Sequence, residues 1–511
     1  MRRLAALTVL VCFAGTCTAP CKAAPARGEL ELTVVDGDTK EVIPCRIHLR
    51  NAKKRPVKLG GESIFYKDHA VFSGKAKLAL PPGQYVFEIE RGPEYPVMSG
   101  HFEMERASED TKTVTLQRFV NMAKEGWWAG ETHVHRPKEQ IELLMRAEDL
   151  YVCPVITWWN DQNEWAAKSA PANPLVQFDK NRFYHLLAGE DEREGGALLY
   201  FNLAKPLPIL GAQREYPSPL KFAEAAKLDP NAWIDIEKDF WYDTPVWLAS
   251  GLVDSIGICH NHMWREGVYP DEAWGRPRDK KLFRMPRGNG QYTQEIYYHV
   301  LNSGLRIPPS AGSASGVMEN PIGYNRMYVW CGEELTYESW WENLRRGRVV
   351  VTNGPILRPQ ADGRFPGHVF QAEAGEKLSL NIDLSMSTRD KIEYLEIIKD
   401  GQVFQSIRLE DYAKTGRLPP VTFDASGWFL VRAICEHPKT FRFASTGPWY
   451  VEIGKQKSRI SKTSAEYFRD WVKERKERVK LDDPAQRAEV LHYHEDALRF
   501  WEQKIADANA P

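Results

Sequence analysis

The chain has 511 residues, with 68 Lys and Arg against 69 Asp and Glu, for a formal net charge of −1. This balance gives no global attraction to nucleic acid or anionic lipid, so the sequence predicts neither as a partner. The length is sufficient for roughly three domains.

The first 26 residues have the pattern of a secretory signal peptide. Two arginines precede an apolar run from Leu4 to about Ala19, and Ala24-Pro25-Ala26 fits an A-x-A cleavage site. No later stretch approaches the ~20 apolar residues of a membrane-spanning helix. We therefore predict an exported protein, periplasmic or extracellular, without a membrane span.

Residues 27–119 are predicted to form an N-terminal β-sandwich. Short alternating strands such as Leu30–Val34 are separated by turn sequences, a pattern typical of small sandwiches. The run 80–85, LPPGQY, resembles the hairpin of carboxypeptidase-regulatory-like modules. This resemblance implies an accessory or spacer domain.

Residues 120–357 alternate between apolar, strand-like runs and helix-like stretches. The strand-like runs are 151–158, 184–188, 197–203, 253–259 and 328–330, and the helix-like stretches are 139–150, 290–301 and 337–346. This alternation predicts an α/β domain with a mainly parallel sheet or barrel. Functional side chains are then expected at the carboxyl ends of the strands.

The remainder of the chain returns to strands and then to helices. Residues 358–455 contain alternating runs and the hairpin signal Asp400-Gly401, which predict a C-terminal β-domain. Residues 456–511 have helical periodicity, and Asp483-Pro484 supplies a helix cap with a first-turn proline. We expect the apolar stripe of these helices to dock on the body of the protein.

Two histidine pairs follow strand-like runs of the central domain. They are His133 with His135, and His260 with His262. In a strand, side chains two residues apart point to the same face, so each pair is able to chelate one metal ion. The competing interpretation is that these histidines are packed and bind nothing.

A third pair provides a contrast within the chain. His492 and His494 lie in a helical pattern, where the same spacing separates the two rings by about 200°. We expect this pair to form no chelate.

Two stretches of the central domain resemble a known family. Residues 130–135, GETHVH, resemble the G-D-x-H-x-H opening of PHP-type (polymerase and histidinol phosphatase) metallohydrolases. Residues 341–355, WENLRRGRVVVTNGP, resemble a hallmark of the carbaryl-hydrolase-like (CehA/McbA) branch of that family. Together the motifs cover roughly residues 125–357.

The resemblance implies a distorted (β/α)7 barrel that holds up to three divalent metals and hydrolyses ester or phosphoester bonds. Carried over by position, it implies metal ligands among His133, His135, Glu190, His260 and His262. Glu192 is the alternative to Glu190 as the bridging carboxylate. The spacing leaves open whether His260 or His262 is the later ligand.

Two motifs depart from the family pattern. Residues 157–160 read Thr-Trp-Trp-Asn where the family has Thr-Asp-His-Asn, and residues 313–316 read Ser-Ala-Ser-Gly where it has Ser-Asp-x-His. Indole and methyl groups do not coordinate metals. We therefore expect one divalent ion (Zn, Mn or Fe) rather than three.

These features predict an exported, metal-dependent hydrolase with a reduced metal site. Its substrate would be an ester, carbamate, amide or phosphoester of a small molecule or carbohydrate. A metal with three protein ligands keeps a position for water and activates it near neutral pH. The alternative is a non-catalytic barrel of the same type that binds carbohydrate or another cell-envelope ligand. The sequence does not determine the oligomeric state.

Candidate catalytic residues complete the prediction. The histidine of the 260/262 pair that does not bind metal, or Glu192, is expected to act as general base or acid. Arg136 or Arg326 is expected to stabilise negative charge that develops on the substrate. The competing interpretation of both arginines is a structural or surface ion pair.

Overall fold

The computed structural model describes residues 27–511, so the predicted signal peptide lies outside the described residues. Within this range the protein is a mixed α/β structure, rich in β-sheet, with eight α-helices. This confirms the coarse fold class expected from the sequence. None of the helices in the described range is long and apolar enough to cross a membrane.

The N-terminal region consists of two β-sheets that share an apolar core. Its strands are β1 (Gly28–Asp36), β2 (Cys45–Asn51), β3 (Ile64–Tyr66), β4 (His69–Phe72), β5 (Lys75–Leu80), β6 (Gly83–Glu90), β7 (Met98–Met104) and β8 (Glu109–Leu116). The strand orders are β5-β1-β8 and β3-β4-β2-β6-β7. Alternate residues of β1, including Leu30 and Val34, are buried in the core with Ile47 and Phe72 of the other sheet.

The central region alternates strands with helices. Its strands are β9 (Trp127–Gly130), β10 (Val152–Trp159), β11 (Gln162–Asn163), β12 (Leu175–Phe178), β13 (Arg182–Arg193), β14 (Gly196–Phe201), β15 (Trp233–Ile236), β16 (Ser255–Cys259), β17 (Met263–Trp264), β18 (Gly267–Val268), β19 (Pro309–Ala311), β20 (Arg326–Trp330) and β21 (Val349–Thr352). Its helices are α1 (Ile141–Glu148), α2 (Pro219–Ala226), α3 (Thr244–Ser250), α4 (Gly288–Asn302) and α5 (Tyr337–Arg345).

Seven of these strands close into a ring in the order β9-β10-β13-β14-β15-β16-β19, which we call the seven-stranded ring. Strand β14 is antiparallel to both neighbours, so the other six strands run in one direction. The residues after β9 close the ring, because Thr132 N donates to Ala311 O and His135 N donates to Ser315 O. The carboxyl ends of six parallel strands therefore meet at one mouth.

Six of the nine C-terminal strands continue the same network of β-pairings, and the other three form a separate sheet. They are β22 (Ile356–Ala361), β23 (Val369–Ala372), β24 (Leu378–Ser387), β25 (Ile392–Lys399), β26 (Gln402–Ser406), β27 (Arg417–Phe423), β28 (Gly427–Cys435), β29 (Phe443–Thr446) and β30 (Trp449–Ile453), with helix α6 (Leu409–Thr415). Strand β20 pairs with both β9 and β21, and β21 pairs with β29. The sheet of the central region thus extends through β23, β25, β26, β28, β29 and β30, whereas β22, β24 and β27 form a separate three-stranded sheet.

Two helices, α7 (Lys462–Arg478) and α8 (Pro484–Ala506), end the chain. The side chain of Asp483 accepts hydrogen bonds from the N–H groups of Ala485 and Gln486, which caps α8 as the sequence predicts. Trp501 is fully buried, and its Nε1 donates to Pro245 O at 2.9 Å. The helices are therefore docked on the central region, as their apolar stripe predicts.

Replacing Trp501 with Ala should lower the free energy of unfolding by about 3–5 kcal/mol, because the substitution leaves a cavity in the interface. Denaturant unfolding measures this loss. Phe404→Ala, on the exposed strand β26, is the control and should change the free energy by only a few tenths of a kcal/mol. Equal, small effects of the two substitutions would contradict the docking.

Candidate metal centre

Polar side chains follow the strands at the mouth of the seven-stranded ring. His133 and His135 come after β9, Glu190 lies near the end of β13, and Glu237 comes directly after β15. All four belong to strands that run in the same direction. Their side chains therefore reach one pocket from different strands, as in barrel active sites.

Three side-chain atoms of this pocket have the spacing of a chelate. Nε2 of His133 lies 3.1 Å from Nε2 of His135, and Oε2 of Glu190 lies 3.5 Å from the first and 3.0 Å from the second. Ligand atoms bound about 2.0–2.2 Å from a tetrahedral metal ion are about 3.3 Å apart. The three residues fit one divalent ion.

The hydrogen bonding of Glu190 supports the same interpretation. Its Oε2 is buried and has no hydrogen-bond partner, because neither nearby histidine nitrogen is aligned with it despite the short distances. Leaving a buried carboxylate oxygen unpaired is costly. A metal ion bound by the three side chains would satisfy this oxygen.

Glu237 determines which nitrogen of His133 faces the other ligands. Its Oε1 lies 3.1 Å from Nδ1 of His133, so a proton on Nδ1 faces Glu237, and Nε2 is the nitrogen that would bind a metal ion in place of its own proton. Glu237 is held in turn by Lys238 Nζ at 2.6 Å and by Trp241 Nε1 at 3.1 Å. Histidines that bind metals are commonly oriented by a carboxylate in this way.

The two carboxylates stabilise positive charge in the pocket. Burial alone lowers the pKa of His133, but Glu190 and Glu237 outweigh it and raise this pKa to about 10. Burial likewise raises the pKa of Glu190, but His133 outweighs it and holds this pKa well below its usual range. The same electrostatic environment favours a bound cation.

Glycine residues allow the chain to pass close to the histidine pair. A Cβ atom added at Gly312 would lie 2.3 Å from Cβ of His133, and one added at Gly316 would lie 2.4 Å from the carbonyl oxygen of His135. Gly316 also has a φ of +111°, which strongly favours glycine. The divergent segment 313–316 thus holds the histidine strand by backbone contact.

Trp158 and Trp159, which stand where the family has ligands, take different positions. Trp158 is buried, and its ring fills the space beside Gly189. The ring centroid of Trp159 lies 5.0 Å from that of His135, and its Nε1 donates to Glu192 Oε2 at 3.1 Å. One indole therefore fills volume, and the other forms a wall of the pocket.

Glu192 lies beside the three ligands without joining them. Burial and the nearby charge of Glu190 raise the pKa of Glu192 to about 7. Its protonation therefore changes near neutral pH, which suits a general acid or base.

The second histidine pair does not join the first. His260 Nδ1 accepts a hydrogen bond from His262 N, so its Nε2 carries the proton and donates to Thr293 Oγ1 at 3.0 Å. The two rings are inclined by 81°. His262 packs against Phe240 and Tyr269. The structure thus brings together two of the four predicted histidines, with Glu190.

The two predicted arginines have other partners. Arg136 donates to Gln140 Oε1 and lies 4.1 Å over the ring of Tyr66. Arg326 is buried and donates to the carbonyl oxygens of Gly323 and Glu148. Among residues 27–511, no ion pair or hydrogen bond joins either guanidinium to the three ligand residues. Both therefore have structural partners, and their role toward a substrate stays a prediction.

Glu237 and Lys238 belong to the site but are not predicted from the sequence. The strand before them, β15, has only four residues, too few for a periodic pattern. The available signal is the position of Glu237 directly after the apolar sequence Trp233–Ile236.

A second group of possible ligands lies in the N-terminal region. His48 Nδ1 and His69 Nδ1 are 3.0 and 3.1 Å from the two carboxylate oxygens of Asp68. Unlike Glu190, Asp68 meets the geometry of a hydrogen bond with each histidine, and Arg50 pairs with it at 3.2 Å. Hydrogen bonding and an ion pair therefore account for this group without a metal.

Comparisons with known proteins identify no family. No protein-family model and no curated protein match the chain. It is similar over 20% of its length to the minor pilin GBS52 of Streptococcus agalactiae, at 23% identity, with 48% of the pilin covered and a TM-score of 0.16. It is similar over 22% of its length to the TIE protein of Bacillus anthracis, at 21% identity, with 19% of that protein covered and a TM-score of 0.15. The comparison with the β-glucuronidase of Parabacteroides merdae covers 81% of this chain and 62% of that chain, at 10% identity and a TM-score of 0.15. Likenesses at these TM-scores carry no argument about fold or function.

Gly312→Ala should weaken binding of Zn²⁺ by about tenfold or more, because the new methyl group displaces His133. Competition with a fluorescent chelator measures the affinity. Gly60→Ala is the matched control, since the nearest atom to its added Cβ is 3.8 Å away. Wild-type affinity in the Gly312 variant would contradict the proposed ligand geometry.

The pH dependence of stability tests the environment of Glu192 in protein treated with a chelator. Its pKa is higher in the folded than in the unfolded protein, so the folded state binds the extra proton and loses stability as the pH rises from about 4.5 to 7. Glu192→Gln should remove a decrease on the order of 2–3 kcal/mol. Denaturant unfolding at several pH values measures the difference.

Glu139→Gln, which changes an exposed carboxylate, should leave the wild-type profile unaltered. A Glu192→Gln profile parallel to that of the wild type would show that Glu192 is not protonated in the folded protein at pH 6.

Proposed function

We propose that this chain is an exported hydrolase that uses one divalent metal ion, Zn, Mn or Fe. His133, His135 and Glu190 would hold the ion, and Glu237 would orient His133. The observation that carries this proposal is the convergence of three ligand atoms within 3.0–3.5 Å of one another, one of them a buried oxygen without a hydrogen bond.

The arrangement of the strands supports a PHP-type barrel as the scaffold. The seven-stranded ring closes on itself, and the residues of the first family-like motif lie at its mouth. The second motif, residues 341–355, runs from α5 into β21, which pairs with β20 beside β9. The positions of both motifs in this sheet support the proposal of a PHP-type scaffold.

The chemistry follows from the residues around the ligands. A bound divalent ion with three protein ligands would activate a water molecule near neutral pH. Glu192, a partly buried carboxyl two residues from Glu190, would accept a proton and return it to the leaving group. Trp159 lies against His135 and donates to Glu192, so it would hold this carboxylate in place and limit access of bulk water.

We propose an ester, carbamate, amide or phosphoester of a small molecule or carbohydrate as the substrate. The aromatic rings beside the pocket support a substrate with an apolar or sugar-like face. Trp165 Nε1 donates to Thr157 Oγ1, and Lys138 and Lys168 lie over the Trp165 ring. These contacts would place an aromatic surface with positive charge near the pocket.

A non-catalytic barrel that binds carbohydrate is the second candidate function. The observation that favours it is Trp159, which contributes an indole where the family has a metal ligand. Metal content and glycan binding distinguish the two candidates, because only the hydrolase requires the ion.

The double substitution of His133 and His135 by Ala should abolish metal binding and the hydrolysis of any substrate identified for the wild type. Elemental analysis of the purified protein should find about one equivalent of divalent metal in the wild type and none in the variant. His492→Ala is the matched control, since it breaks a pair of the same spacing on α8. It should retain both metal and activity.

Two outcomes would contradict the hydrolase. One is a wild-type protein that takes up no divalent metal and still binds glycans, which would favour the second candidate. The other is full activity in the double variant, which would remove the proposed site.

A further inference from the structure

A cavity of about 60 Å³ lies where the N-terminal sheets, the central region and the C-terminal strands meet. Five arginines line it, and we call it the junction cavity: Arg46, Arg265, Arg326, Arg389 and Arg442. The first comes from β2, the next two from the central region and the last two from the C-terminal strands and loops. Nothing in the proposed metal centre depends on this cavity.

The arginines present more hydrogen-bond donors than the cavity has acceptors. Nε and Nη1 of Arg46, Nε and Nη2 of Arg389, and Nε of Arg442 are buried atoms without a hydrogen-bond partner. The Tyr324 hydroxyl is also unpaired, against one unpaired acceptor, Glu148 Oε1. This oxygen lies 3.3 Å from Arg46 Nε but is not aligned with it.

The carboxylates nearby neutralise these arginines only in part, because the cavity wall has three acids, Glu90, Glu148 and Asp390, against five arginines. Asp390 pairs with Arg442 at 2.9 Å. Glu90 alone is shared by Arg46, Arg265 and Arg389, at distances of 3.0–3.1 Å. Arg265 has further carboxylate partners outside the cavity, whereas Arg389 has Glu90 alone. Arg46 is almost completely buried, with 3% of its surface exposed. A buried guanidinium with unpaired N–H groups is expensive unless something accepts from it.

We propose that the junction cavity binds one small multivalent oxyanion, such as inorganic phosphate or sulfate. Guanidinium groups bind tetrahedral oxyanions by paired, charge-assisted hydrogen bonds. One buried water molecule needs about 10–15 Å³ of cavity volume. The cavity of about 60 Å³ therefore has room for about four oxygen atoms. This volume fits the free ion and leaves no room inside the cavity for the organic group of a phosphomonoester.

The anion would join parts of the protein that are distant in sequence. Arg46, Arg389 and Arg442 come from three separate strands or loops, and each offers N–H groups to the same space. The cavity wall also includes Gly323, whose N–H donates to Glu131, two residues before His133. Binding is therefore expected to stabilise the folded protein as a whole.

Thermal unfolding of the chelator-treated protein tests the proposal, because removing metal prevents phosphate from binding at the mouth of the ring. Replacing chloride with phosphate at constant pH and ionic strength should raise Tm by about 2–4 °C at saturation. Sulfate should act similarly, and phenyl phosphate should have no effect. Isothermal titration with phosphate should give one site per chain.

Arg389→Gln should remove the phosphate-dependent shift, because it removes a guanidinium with two unpaired nitrogens and a single carboxylate partner. Arg358→Gln is the matched control. Like Arg389, Arg358 is largely buried, pairs with a single carboxylate, that of Glu125, and has an unpaired Nε. It lies outside the junction cavity. It should keep the full shift.

Three outcomes would overturn the proposal. They are the absence of a shift beyond that of chloride, an equal shift in the two variants, and equal binding of phenyl phosphate. If Arg389→Gln does not fold, the wild type is titrated with phosphate, and sulfate is then used to displace the phosphate. A lack of one-site binding would contradict the proposed anion site.

Discussion

The close contact between Glu237 Oε1 and Nδ1 of His133, 3.1 Å apart, is the interaction on which the candidate site depends. It keeps a proton on Nδ1, so that Nε2 is the nitrogen of His133 that faces His135 and Glu190. Lys238 and Trp241 hold Glu237, which limits rotation of the imidazole. Without this support either nitrogen of His133 would be free to take the proton, and the three ligand atoms would lose their common focus.

The period-two argument succeeds for one histidine pair and fails for the other, for a local reason. After β9 the chain stays extended, since Val134 bridges to Ser315 in parallel, and His133 and His135 keep the same face. After β16 the chain turns at once, because Met263 N donates to His260 O. Side chains in a turn no longer alternate, so His260 and His262 diverge.

Composition and periodicity predict the coarse architecture because each long strand or helix contains several apolar residues at the spacing typical of that element. Strands such as β10 and β13 and the capped helix α8 are visible in the sequence for this reason. The partners of individual polar groups cannot be predicted from the sequence, since they depend on contacts between distant segments. Arg326 shows this, because its carbonyl partner at Glu148 is 178 residues away. Glu237 and His133 are likewise far apart in the chain, with their positions 104 residues apart.

The continuous pairing from β9 through β20 and β21 to β29 has a practical consequence for anyone who shortens the protein. A fragment that stops at residue 357 would retain β21 but lose β29, and so would leave a row of N–H and C=O groups without partners. Such bare strand edges recruit other chains. The fragment that ends at residue 357 is thus expected to self-associate when expressed alone, because the C-terminal strands cover its open edge.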